Sequence, residues 1–142
     1  MEVKAHARWT EGMQFVGAGW SGKAVVMDAA PESGGADSGA RPLELLLVGL
    51  TGCTGMDVAS LLRKMRVPFT GIELNVSADK SEEHPHVFTA IRLEYVVRGR
   101  DIDPDKVARA IELSMTKYCS VSAMLRKACP VEHSLRIEPD PA

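Results

Sequence analysis

Three cysteines carry the redox and nucleophilic chemistry this chain has to offer: Cys53, Cys119 and Cys129. Cys53 sits in the middle of the apolar run "LLLVGLTGCTGMDVASLL", and Cys119 in the shorter stretch "KYCSVSAML". The thiolate, not the thiol, attacks and ligates, so what surrounds each sulfur decides what it does. Cys119 stands just before or at the start of a helix for which Ser120 is the expected N-cap. Free amide N–H groups and the positive end of the helix dipole favour a thiolate there. Cys53 lies mid-helix among apolar residues, which by themselves raise a thiol pKa and leave it inert. As a nucleophile it needs a cation. Arg41 is about three turns, roughly 18 Å, away along the same helix and does not reach unaided. Arg8, Lys4 and Lys23 of the N-terminal segment are the other candidates. Asp57 is i+4 from Cys53 and shares its face. With His133 the two would make three metal-capable side chains, but no metal-ligand spacing supports such a site. The plain alternative is core filler, since free cysteine behaves as a small hydrophobe. Cys129, beside Pro130, has that reading.

Composition narrows the function classes. The 142 residues suit one domain, 1–142, with one hydrophobic core. Hydrophobic residues make up 45%, charged residues 25%, and the net charge is −2, which offers no nucleic-acid or membrane surface. Three cysteines without a C-x-x-C exclude a secreted disulfide scaffold and the strong zinc and thioredoxin signatures. "MEVKAHARWTEG" has no basic segment followed by an apolar run, so a cytoplasmic location is expected. In a reducing cytoplasm a cysteine pair is either two bystanders or a transient redox couple. The run from Leu43 to Leu62 approaches the ~20 apolar residues of a membrane span. Asp57 would lie inside that span, and Gly49, Thr51, Gly52 and Thr54 dilute it, so a membrane partner is not expected. Neither is a cofactor.

The elements that must position the cysteines follow from periodicity. "EVKAHARW", "MQFVGAGW" and "KAVVMD" read as three short strands joined by Gly turns. "AAPESGGADSGA" reads as a mobile loop without power to pack. Pro42 opens a long helix with Glu44 in its first turn, ended by Pro68. The helix is apolar nearly all round until "RKMR", so it is expected to be central and covered on most sides. Gly49, Gly52 and Gly55 recur every third residue and form a shallow ridge for a close crossing or for access to Cys53. Two strands follow, "TGIELNVSADKS" and "VFTAIRLEYVVRG". Then comes a helix with Asp103 as N-cap, Pro104 at its first position and the stripe Val107, Ala110, Ile111, Ser114 and Met115. "CSVSAMLRKA" restarts a helix, and "VEHSLRIE" is a last strand. The order βββ-α-ββ-α-α-β is an α+β fold with largely antiparallel sheets.

"GARPLELLLVGLTGCTGMDVASLLRK", a paired-strand region and "VARAIELSMTKYCSVSAML" come in an order and spacing that resembles the OsmC/Ohr family over nearly the whole chain. The likeness is closer to the OsmC-like branch than to Ohr proper. The resemblance implies an intertwined homodimer, with antiparallel sheets around long central helices. In it the glycine ridge meets the partner's helix. It also implies thiol-dependent reduction of organic hydroperoxides, with Cys53 the peroxidatic and Cys119 the resolving cysteine, and an external dithiol, such as a lipoyl-protein, as reductant. The peroxide-activating cation it implies comes from the N-terminal region, with Arg41 and Arg8 as the candidates, and Glu44 is either the acid or a plain helix-start residue. Here the sequence departs from the family pattern, because Leu43 directly follows Pro42 where the family places its glutamate, and Glu44 comes one residue later. A non-catalytic protein holding a small hydrophobic ligand is the alternative.

Overall fold

The computed structural model describes residues 1–140. The chain forms two compact units, Met1–Leu47 and the residues from Val48 onward.

In the first unit, β1 (His6–Glu11), β2 (Gln14–Ala18) and β3 (Ala24–Met27) form an antiparallel meander in the order β1-β2-β3. The loop after it is not the unpacked segment its composition suggests. Asp28 is 3% exposed, and its carboxylate accepts hydrogen bonds from the N–H groups of Ala29, Ala36 and Ser38 and from the Ser38 hydroxyl. Those bonds fold residues 28–40 back on themselves, around a 3₁₀ turn at Pro31–Ser33. Gly35 packs so closely that a Cβ there would come within 1.9 Å of the Ala29 carbonyl oxygen. Small, polar residues are what such a tight loop needs, so the composition that looked mobile is the composition of a knot.

The long helix α1 (Glu44–Lys64) begins two residues later than Pro42. Pro42 and Leu43 form an entry turn, with Leu45 N–H on Pro42 O and Leu46 N–H on Leu43 O. The boundary between the two units falls inside this helix. Its buried stripe is Leu50, Thr54, Val58 and Leu62, spaced four apart. The opposite face carries exposed Val48 and Met56, with Gly52 between them. The all-round apolar pattern therefore does not mean all-round cover within one chain. Among the described residues one stripe is fully buried.

In the second unit, β4 (Phe69–Lys80) pairs antiparallel with β5 (Phe88–Gly99), and β5 pairs parallel with β6 (Val131–Glu138). Sheet order is β4-β5-β6. One parallel pair thus stands within largely antiparallel sheets, as expected. Its cause is the helical crossover between β5 and β6, which carries the chain back to start β6 in the same direction. Central β5 buries Ile91, Leu93, Tyr95, Val96 and Val97. Arg98 of β5 bridges Glu73 on β4 and Glu138 on β6, at 3.0 and 2.8 Å. The crossover starts with α2 (Pro104–Leu113), capped by the Asp103 carboxylate accepting from Asp105 N–H at 2.9 Å. Its expected stripe, Val107 to Met115, is buried. Residues Ser114–Tyr118 then widen into a π turn, and α3 (Ser120–Leu125) follows. The helix expected through Ala128 ends at Leu125.

Candidate active site

The π turn and the cap of α3 place the second cysteine. Cys119 leaves the helical conformation at ψ 103° and is itself the N-cap of α3, a role the sequence assigned to Ser120. Its Sγ accepts from Ser122 N–H at 3.4 Å, and its carbonyl accepts from the Ser122 hydroxyl at 3.1 Å. Cys119 is buried and Cys53 partly so; both are free thiols, and Cys53 is near enough to raise the Cys119 pKa. Burial pushes the Cys119 thiol above its ordinary value, the Ser122 bonds pull it back, and the nearby Cys53 adds to the rise. The helix end was expected to favour a thiolate at Cys119. Desolvation and the neighbouring sulfur outweigh it, because the contacts that α3 offers through Ser122 do not replace the lost water.

Beside the pair runs a buried chain of polar groups. Thr54, next to Cys53 on α1, is 2.7 Å from the Tyr95 hydroxyl and 2.7 Å from the Ser114 hydroxyl. Ser114 donates to Asp57 at 2.8 Å. Thr54, Ser114 and Tyr95 are fully buried. Burial pushes the Tyr95 phenol up to about 12; the Thr54 bond opposes this, and the charges of Cys119 and Asp57 add to it. Asp57, which shares the Cys53 face, is thus held by a hydroxyl, while His133 lies edge-on to the Tyr95 ring at 6.1 Å.

Residues 34–134 match the family model described as OsmC-like protein. The chain is 39% identical over 135 residues to Protein YhfA of Escherichia coli (strain K12), across 95% of this chain and 98% of that protein. The chain belongs to the OsmC family. Among solved structures, a hypothetical protein from Aquifex aeolicus VF5 is 26% identical with a TM-score of 0.86, covering 99% of both chains. An organic hydroperoxide resistance protein OsmC from Legionella pneumophila is 13% identical with a TM-score of 0.70, over 95% of this chain and 96% of that one, a likeness of fold.

Arg41 and Glu44, candidates from the OsmC resemblance, fall in the first unit. Arg41 donates to Asp37 at 2.6 Å and to the Gly39 carbonyl at 3.0 Å, and the Asp37 bond raises its pKa. Glu44 is the first residue of α1, and its charge also supports the Arg41 cation. Arg41 and Pro42 line an apolar cavity of about 460 Å³ with Ala7, Met13, Phe15 and Met27.

The sequence placed Tyr95 only within a strand, Ser114 only in an apolar stripe, and Thr54 only as a diluent of the apolar run. The signal was there in Ser114, a hydroxyl in an otherwise apolar stripe. Its partners on α1 and β5 follow only from the tertiary fold.

Proposed function

We propose that this OsmC-family chain is a thiol-dependent peroxidase for organic hydroperoxides, with Cys53 and Cys119 as its redox pair. The single observation that carries the reading is the apposition of the two thiols: partly exposed Cys53 beside buried Cys119, from segments far apart in sequence. Partial exposure suits the sulfur that meets a peroxide, and burial suits one that waits for its neighbour. The Cys53 thiolate attacks the O–O bond of ROOH; sulfur becomes sulfenic acid and RO⁻ leaves, taking a proton to form ROH. The Cys119 thiolate then attacks the Cys53 sulfur and expels hydroxide, which is protonated to water as the disulfide closes. An external dithiol reopens the disulfide by exchange and is itself oxidised. The apolar helix that carries Cys53 suits an alkyl group on the peroxide.

Within this reading the resemblance calls for an activating cation from the N-terminal region, with Arg41 and Arg8 as the candidates, and for an acid, with Glu44 as the candidate. The protein acts as a homodimer in a reducing, cytoplasmic setting. Exposed Val48 and Met56 with Gly52 between them, a smooth apolar helix face, support the homodimer.

Turnover of cumene hydroperoxide with a dithiol reductant tests the assignment. Cys53→Ser should abolish it. Cys119→Ser should leave one fast reduction per chain, then stall without a small thiol. Full turnover in Cys53→Ser removes the reading. The apolar cavity lined by Met13, Phe15, Met27 and Arg41 favours one other function, holding a small hydrophobic ligand. A ligand that co-purifies with a chain lacking peroxidase turnover would establish that function instead.

A further inference from the structure

Four polar side chains in the second unit have no part in the chemistry above, yet they lie fully or partly inside its core beside the cysteines. Their hydrogen bonds have a fixed direction. Ser114 spends its one proton on Asp57, so Thr54 must donate to Ser114 and Tyr95 must donate to Thr54. The chain runs one way, Tyr95 to Thr54 to Ser114 to Asp57, with the carboxylate as its anchor. Two of its members grip Ser114 from α1: Thr54, the residue after Cys53, and Asp57, one turn further on.

Ser114 also holds Cys119. Its carbonyl accepts the Cys119 N–H at 2.8 Å, the i+5 bond that closes the π turn. In an uninterrupted α-helix that N–H would bond Met115 instead, and the whole of Cys119 would be displaced by one helical position. The π turn is therefore what aims Cys119, and the Ser114 side chain is what ties the turn to the helix that carries Cys53. From one cysteine to the other the path is a peptide bond and two hydrogen bonds.

We propose that Thr54, Ser114, Asp57 and Tyr95 are positioning residues for the resolving step, locking the π turn so that the Cys119 sulfur faces the Cys53 sulfur. The proposal rests on the thiol-pair reading of the site and is tested without a peroxide. The aryl disulfide 5,5′-dithiobis(2-nitrobenzoate) reacts first at the partly exposed thiol. The Cys53 thiolate attacks its S–S bond, forms a mixed disulfide and releases one thionitrobenzoate. The Cys119 thiolate then attacks the Cys53 sulfur, closes the protein disulfide and releases a second. The full chain carrying Cys129→Ser gives the second release a single origin.

Thr54→Val keeps the shape and removes the hydroxyl; Thr54→Ser keeps the hydroxyl. In Thr54→Val the first release should stay within about two-fold, while the second slows on the order of ten-fold, the loss expected when one buried orienting hydrogen bond goes. Thr54→Ser should restore the second release. Ser114→Ala should give the same split, and keeps the question open to test where Thr54→Val fails to fold. A second release unchanged in the folded variants overturns the proposal, as does equal slowing of both releases or a parent chain that releases only one equivalent. A parent that closes its disulfide with this reagent but turns over no hydroperoxide supports the positioning and removes the peroxidase reading.

Discussion

Cys119 contains two opposed influences, and the stronger one is burial. A raised thiol pKa leaves less thiolate at neutral pH, so under the proposed mechanism the rate of disulfide closure should climb with pH and keep climbing beyond the ordinary thiol range of about 8.5. Stopped-flow measurement of closure from pH 6 upward would show it; a plateau below the ordinary value would mean that Cys119 is not the attacking group. Tyr95 makes a related prediction for stability. Its folded pKa of about 12 lies above its ordinary 10.0, so the folded state holds the proton longer than the unfolded state. Its contribution is complete below pH 10 and is lost as pH rises toward 12. Tyr95→Phe should cost about 1 kcal/mol at neutral pH, one buried hydrogen bond. It should also flatten that alkaline loss in urea titrations, whereas an unchanged alkaline profile would place its origin elsewhere.

At the scale of elements, the loop 28–40 and helix α1 show what periodicity reads and what it misses. Period and capping signals placed α2 from Pro104 and β6 to its exact ends, because those elements are specified locally. The loop was misread because its order comes from one buried carboxylate accepting four hydrogen bonds, which composition does not encode. Those bonds, led by the Ser38 hydroxyl, hold the Asp28 pKa near 2, below its ordinary 3.8. The stability it provides is therefore present above the ordinary value and is lost as pH falls toward 2. Asp28→Asn must point its NH₂ at one of the N–H donors, so it should lower stability at pH 7 and remove that part of the acid dependence. Equal acid profiles for the two proteins would contradict the assignment. In α1, a Cβ at Gly49 or Gly52 meets nothing within 4 Å, whereas one at Gly55 meets the Leu74 tip at 3.2 Å. Alanine at 49 and 52 should therefore stabilise an isolated chain by about 1 kcal/mol each. If the open ridge seats a partner's helix, as proposed, the same substitutions should weaken the dimer in sedimentation. Stabilisation without any change of assembly would argue against the ridge as the interface.

For the whole molecule, the α+β element order, the long apolar helix and the two cysteine motifs were legible, and they sufficed to indicate the OsmC family. Proximity was not legible. Cys53 and Cys119 meet because the crossover after β5 returns over α1, and neither spacing nor periodicity encodes that return. The chain Tyr95–Thr54–Ser114–Asp57 joins β5, α1 and the π turn, so it appears only when all three are assembled. It also explains Asp57: a carboxylate that would be unpaired in lipid has a hydroxyl partner here. The departure at Leu43 has a counterpart in the structure, since Leu43 belongs to the entry turn and Glu44 opens the helix proper.

The most direct test is a thiol map by mass spectrometry after one equivalent of cumene hydroperoxide, with hydrogen peroxide in parallel. The account predicts a Cys53–Cys119 disulfide, formed faster with the organic peroxide, and an unmodified Cys129. Three free thiols after exposure, or a disulfide that includes Cys129 in place of Cys119, would contradict it.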